Sequence, residues 1–252
     1  MKKTIIAIMA LAGVAVADNP SVVWDMDFLS TGVTLTTAEG VTTTLASGVG
    51  ASIIKNGAIT LNNNSFTFNQ TAGNLSYADE FTLVATLQLG NPQPGSWPAI
   101  FGLGEDSSWC WKPSFYTATN TFNLDKDGFT DKVDETYKNT GGITYTLPTE
   151  DGVYGDVITL ALQNDGNGKL TLFVDGNVAG YTTITSEAEY GSNKLIKTFT
   201  FGARNGGGNK SNIILHDVQF VSGLTTSIIP EPTTATLSLL ALAGLAARRR
   251  RK

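Results

Sequence analysis

The chain carries one histidine, His216, and one cysteine, Cys110. A Ser-His-Asp or Cys-His site needs an imidazole held against a hydroxyl or thiol. His216 sits inside an alternating apolar stretch, so it reads as structural, and Cys110 reads as a small buried hydrophobe. Carboxylates two apart share one face of a strand, as in Asp25-Met26-Asp27 and Glu187-Ala188-Glu189. Hydrolysis would need a facing carboxylate from another strand, about 5 to 9 Å away. The run Asp125-Lys126-Asp127-Gly128, followed by Asp131 and Asp134, offers oxygen ligands. It lacks the loop spacing and the distal bidentate Glu of an EF-hand, so it reads as a solvated acidic loop. No cofactor is expected, calcium being the one ion left open, and no metal ligand is assignable.

Aromatic residues make the stronger cluster. Three of the four tryptophans, Trp97, Trp109 and Trp111, stand with Phe115 and Tyr116 between Asn91 and Asn123, separated by Gly, Pro and Ser. Flat aromatic faces stack on the C–H faces of sugar rings, and nearby carboxylates and amides bond the hydroxyls. Glu105, Asp106 and Asn120 are at hand for that, and the loop Arg204-Asn205-Gly206-Gly207-Gly208-Asn209 adds donors and an open backbone. The candidate carbohydrate-binding residues are therefore Trp97, Trp109, Trp111, Tyr116, Asp106 and Asn205. The competing expectation is that the tryptophans fill a core, since aromatics dominate cores.

The elements that must hold these residues are strands. Apolar residues alternate at Phe81, Leu83, Ala85, Leu87 and Leu89, at Ile158, Leu160 and Leu162, and at Leu170, Leu172 and Val174. Residues 65–68, 198–201 and 212–221 continue the pattern, and Asn164-Asp165-Gly166-Asn167-Gly168 and Asp175-Gly176 mark turns. The segment from 91 to 123 reads as loop plus short strands. About a dozen strands with one apolar face each predict an all-β, two-sheet antiparallel β-sandwich.

Both ends read as addresses. Residues 1–17 hold Lys2 and Lys3, an apolar run, and Ala15-Val16-Ala17, the pattern of a secretory signal cleaved after Ala17. The other end reads Pro230-Glu231-Pro232, an uncharged apolar stretch over 233–247, then Arg248 to Arg251 and Lys252. Those 15 residues would make a helix of about 22 Å, short of a hydrocarbon core of about 30 Å, and suit transient inner-membrane insertion with the basic cluster inside. The three expected segments are 1–17, a single domain over 18–229, and 230–252.

Once both ends are removed, 10 of the 17 basic and 21 of the 22 acidic residues remain, so the domain is near −11 rather than −5. An acidic surface repels phosphate backbones, so no nucleic acid partner is expected.

The tail resembles the PEP-CTERM sorting signal in having Pro230-Glu231-Pro232, a short apolar helix and a terminal arginine run in that order. The resemblance implies processing near Pro230, Glu231 and Pro232 by an exosortase-type enzyme, and a place at the surface or in the extracellular matrix of a diderm bacterium. Within the domain, DVITLALQNDGNGKLTLFVDGNVAG (156–180) is similar to the hairpin of concanavalin A-like, laminin G-type domains. EFTLVATLQL (80–89), AIFGLG (99–104), the ending over 199–229 and the opening strand 22–28 follow the family's order; the family's tryptophans near 80–89 and before 156 are missing. The resemblance implies a jelly-roll sandwich, with calcium held at the edge in some members. The family also includes hydrolases, yet the E-x-D-x-x-E strand of their laminarinase-like branch does not occur here. The expected function is binding of polysaccharide or another glycan without catalysis. A structural or adhesive matrix role and glycoside hydrolysis are the alternatives.

Overall fold

A computed structural model describes residues 22–29, 32–37, 42–45, 54–69, 79–106, 109–127, 138–139, 143–183 and 196–224. The two expected address segments, with Ala17, Pro230, Glu231 and Pro232, lie outside these residues, as do Glu187 and Glu189. Among the described residues no helix is long and apolar enough to cross a membrane.

The chain is built from strands β1 (Val22–Leu29), β2 (Gly32–Thr37), β3 (Thr42–Leu45), β4 (Ile54–Lys55), β5 (Ala58–Asn62), β6 (Phe66–Asn69), β7 (Glu80–Leu89) and β8 (Phe101–Asp106). There follow β9 (Trp109–Tyr116), β10 (Thr121–Asp127), β11 (Lys138–Asn139), β12 (Ile158–Asp165), β13 (Lys169–Val174), β14 (Asn177–Thr183), β15 (Thr198–Phe201) and β16 (Asn212–Ser222). They make two antiparallel sheets, as the alternation predicts. The large sheet runs β11-β14-β13-β12-β7-β16-β1-β2-β3, with β5 paired to β16 and β4 to β5. The small sheet runs β10-β9-β8-β15-β6.

Strand period decides which residues are covered. On β7 Phe81, Leu83, Ala85, Leu87 and Leu89 are all fully buried, and Leu160 and Leu162 of β12 and Leu170 and Leu172 of β13 share their face. Burying each such Leu or Phe stabilises the fold by about 1.5–3 kcal/mol. The small sheet answers with Phe101, Leu103, Phe199, Phe201, Phe122 and Leu124. Phe199 meets Phe220 of the large sheet edge to face at 5.6 Å, and Phe220 in turn stacks on Phe81 at 5.3 Å. These contacts fasten the two layers.

Turn chemistry closes the hairpins. Asn56-Gly57 and Asp175-Gly176 both have positive φ at each residue (54° and 73°, 46° and 77°), the geometry that matches the twist of a two-residue hairpin.

Two expectations are corrected here. The segment holding the tryptophans, expected as loop plus short strands, holds a longer element: 109–116 is one continuous strand inside the small sheet. The start of the acidic run is strand as well, since Asp125 and Asp127 pair in backbone register with Lys112 and Cys110. Burial of Phe122 and Leu124 draws this stretch into the sheet, which a reading of its charges alone misses.

Candidate functional site

The stretch between β7 and β8 positions Trp97. Gln93 is buried near its start, where Nε2 donates to the carbonyls of Gly90 (2.8 Å) and Asn212 (2.7 Å) and Oε1 accepts from Asn212 N–H (3.0 Å). At the other end Phe115 N–H donates to Pro98 O at 2.9 Å and Thr117 N–H to Ser96 O at 3.2 Å. Those two bonds flank one pair of opposed residues, so Trp97 and Tyr116 stand side by side on one face. Their rings are stacked, with centroids 4.1 Å apart and planes within 14°.

Period two fixes which face that is. Trp111 and Phe115 point into the core, so Tyr116, with Lys112 and Ser114, belongs to the outer face of the small sheet. Trp97 is 40% exposed and Tyr116 half-buried. Polar groups surround the pair's strand end: Thr119 and Thr121 bond through their hydroxyls at 2.7 Å, and Asn120 is exposed at the turn between β9 and β10. Asn209 accepts from Ala99 N–H at 2.7 Å, which seats its exposed turn beside the Trp97 segment. The arrangement offers an open aromatic face rimmed by hydroxyls and amides.

The structure separates the sequence candidates. Trp97 and Tyr116 come together. Trp111 is 0% exposed and packs in the main core, so it has no face to offer a ligand. Asn205 is 1% exposed and equally unavailable. It lies in a 3-10 turn (Asn205–Gly207) folded onto the small sheet. In the amide orientation that satisfies its surroundings, Nδ2 donates to Gly102 O (2.9 Å) and Thr200 Oγ1 (3.1 Å) while Oδ1 accepts from Gly104 N–H (3.2 Å). A Cβ at Gly102 would lie 2.7 Å from Asn205 N, so glycine there is what admits the turn. Trp109 and Asp106 face each other in backbone register where β8 meets β9; their side chains lie outside the described residues.

The residues first considered for nucleophilic chemistry are not brought together. His216 sits where β16 bulges against β7, and its Nε2 pairs with Gln88 Oε1 at 2.8 Å. Cys110 belongs to the other sheet. Sequence reasoning missed Gln93, whose single amide joins two distant segments; an isolated Gln between two prolines gives no pattern to detect it by.

No family model matches the chain, and no curated protein matches it. Among solved structures it is similar to Trypanosoma rangeli sialidase, at 14% identity and TM-score 0.55 over 83% of this chain and 32% of that one. The same enzyme in complex with sialic acid gives 16% and 0.54 over the same shares. The botulinum neurotoxin serotype D binding domain gives 12% and 0.51, over 81% of this chain and 48% of that one. The chain thus spans about a third of the sialidase and about half of the toxin domain. At such identities the likeness is one of fold.

Proposed function

We propose that this protein is a carbohydrate-binding β-sandwich of the concanavalin A-like type, which holds polysaccharide or another glycan without altering it. The observation that carries the reading is the Trp97–Tyr116 stack, an indole left 40% exposed on a surface built by backbone bonds on both sides. Exposing a large aromatic costs hydrophobic stabilisation, and a stacked, rigid ring is what a sugar face needs. Its structural neighbours, a sialidase in complex with sialic acid and a toxin binding domain, are in keeping with it. The reading includes export through the signal over 1–17 and sorting through the tail over 230–252, by an exosortase-type enzyme, to the cell surface or matrix of a diderm bacterium. No cofactor is part of it.

A structural or adhesive role in the matrix is the second reading, and burial of Trp111 favours it by removing one of the three tryptophans that the sequence suggested. The test is a glycan array probed with the full chain, in calcium and in chelator, beside Trp97→Ala and Trp111→Phe. Saturable binding of at least one glycan, lost in Trp97→Ala and kept in Trp111→Phe, supports the first reading. No binding to any glycan overturns it and leaves the structural role. A signal lost in chelator would add calcium to the site.

A further inference from the structure

The outer face of the large sheet holds a polar cleft that the aromatic platform does not use. Because Leu61, Ile213 and Leu89 are core residues, their neighbours Thr60, Asn62, Asn212 and Gly90 point outward, and pairing of Asn212 with Asn62 and of Ile213 with Leu89 sets them side by side. Gly90 has no side chain there, and Tyr154, bridged to it in backbone register, lays its ring over the gap. A Cβ at Gly90 would lie 2.7 Å from Tyr154 Cε1. The segment after Glu150 is tied down alongside: Asn91 N–H donates to Val153 O (3.0 Å), Gly152 N–H to Asn91 O (2.6 Å) and Gly155 N–H to Leu89 O (3.0 Å). What results is a cleft of about 430 Å³ lined by Thr60, Asn62, Gly90, Asn91, Tyr154 and Asn212, together with Pro92 and Gly152. That volume falls in the range of small-ligand sites, roughly 300–1,000 Å³.

We infer that this cleft is a second sugar-binding site, on the face opposite the Trp97–Tyr116 platform, and that it selects an uncharged saccharide. The inference rests on the carbohydrate-binding reading and gives it a ligand class. Three amides, one threonine hydroxyl and one phenol line the cleft, and each except the phenol ring is small and polar. Amides and hydroxyls both donate and accept, as sugar hydroxyls do. Asn212 Oδ1 takes Asn63 N–H at 2.7 Å and its Nδ2 donates to Pro92 O, which fixes the amide and leaves one N–H and one lone pair for a ligand. Asn91 is oriented in the same way by Asp151 Oδ1 at 3.3 Å. No protein group among the described residues bonds the Tyr154 hydroxyl, and burial raises its pKa, so it stays a protonated donor at neutral pH. Among the described residues neither Lys, Arg nor His lines the cleft, and Asp151 is hydrogen-bonded to Asn91. A uronate or sialate would bring its charge close to the Asp151 carboxylate on an acidic domain, with no cation among the described lining residues to pair it.

The test uses the full chain, with cellohexaose, laminarihexaose and mannohexaose as uncharged probes and hexagalacturonate as the acidic one. Side-chain amide resonances of Asn62, Asn91 and Asn212 report the cleft; tryptophan fluorescence reports the platform. At least one uncharged probe is expected to move the amides saturably, in Trp97→Ala as in the native protein, and hexagalacturonate to leave them unmoved. Asn62→Ala and Tyr154→Phe are each expected to weaken that titration about three- to tenfold, the loss of one hydrogen bond. Fluorescence titration with still amides overturns the cleft and keeps the carbohydrate reading. Moving amides with silent fluorescence keep the cleft and remove the platform. Silence in both overturns the two together, and equal response to hexagalacturonate overturns the selection for an uncharged ligand.

Discussion

Gln93 and Asn212, 119 residues apart, are joined in both directions: the Gln93 amide donates to the Asn212 carbonyl at 2.7 Å and accepts from its N–H at 3.0 Å. The same amide reaches Gly90 O, so one buried side chain ties the start of the Trp97 segment to the first residue of β16. It does for the loop what a ladder bond does for a strand.

Replacing Gln93 by Leu keeps the volume and removes all three bonds, leaving buried backbone groups poorly satisfied. The expected cost is about 1–3 kcal/mol of stability. Glycan affinity should fall as well, because the segment that carries Trp97 loses one of its two anchors. Urea unfolding beside the glycan titration checks both; an unchanged midpoint would show that Gln93 is no clamp.

Trp97 and Trp111 should separate binding from stability. Trp111→Ala empties a fully buried indole from the core and should cost about 3–5 kcal/mol. Trp97→Ala loses a half-exposed ring and one stacking contact worth about 0.5–1.5 kcal/mol. Binding at the Trp97–Tyr116 platform is expected to fail in the second and to survive in whatever fraction of the first stays folded, while the cleft keeps its own ligand in both. Denaturant curves for both variants decide it, and equal destabilisation would mean that Trp97 is a packing residue.

The difference between these two tryptophans shows where the sequence is readable. Alternation along 80–89, 158–162 and 170–174 names the core face correctly, because a half-buried strand must segregate its apolar side chains. The Asp175-Gly176 dipeptide likewise foretells its turn, where only certain residues accept positive φ. In β9 the same period shows that Trp109 and Trp111 share a face but not whether that face is covered. There Lys112 and Ser114, on the opposite side, are buried too, so polarity no longer marks the outside. Asn205 was misleading for a related reason: a polar, Gly-rich loop looks solvated, yet its amide is consumed by the backbone of β8. Which loop folds back on which strand is a long-range fact, absent from any local pattern.

Tyr145 gives the fold an alkaline limit. Its hydroxyl donates to Asp156 O at 2.9 Å, and its pKa is raised, first by desolvation and then by the charge of Asp156. An unfolded tyrosine ionises near pH 10, and the folded one holds its proton to higher pH. The stability this represents is fully present below about pH 10 and is lost as pH rises through the folded value. Tyr145→Phe gives up the hydrogen bond but should flatten the decline above about pH 10. Unfolding free energies from pH 8 to 11 for both proteins test this; parallel curves would assign the alkaline loss to other groups, Tyr154 first among them.

Gly202 and Gly57 distinguish backbone strain from crowding. Both have positive φ, 80° and 73°, so an alanine at either is strained by about 1 kcal/mol or somewhat more. Around Gly57 there is open space, and strain is the whole expected cost of Gly57→Ala. At Gly202 a Cβ would lie 2.5 Å from Asn64 O, a backbone atom, and 2.9 Å from Cδ1 of Leu61, a side chain fully buried in the core. Overpacking adds about 1–3 kcal/mol there. Gly202 also donates to Ile100 O and accepts from Ser211 N–H, both at 2.8 Å, so a shift at this point moves the loop that carries Asn205 and Asn209. That loop supports Ala99, two residues from Trp97, through the bond to Asn209 O. Gly202→Ala is therefore expected to lower both stability and glycan affinity, whereas Gly57→Ala lowers stability alone and by less. Urea midpoints and one glycan titration on each variant suffice. Equal losses of stability would mean that the β15 corner yields freely. The strain common to both sites would then be the only cost.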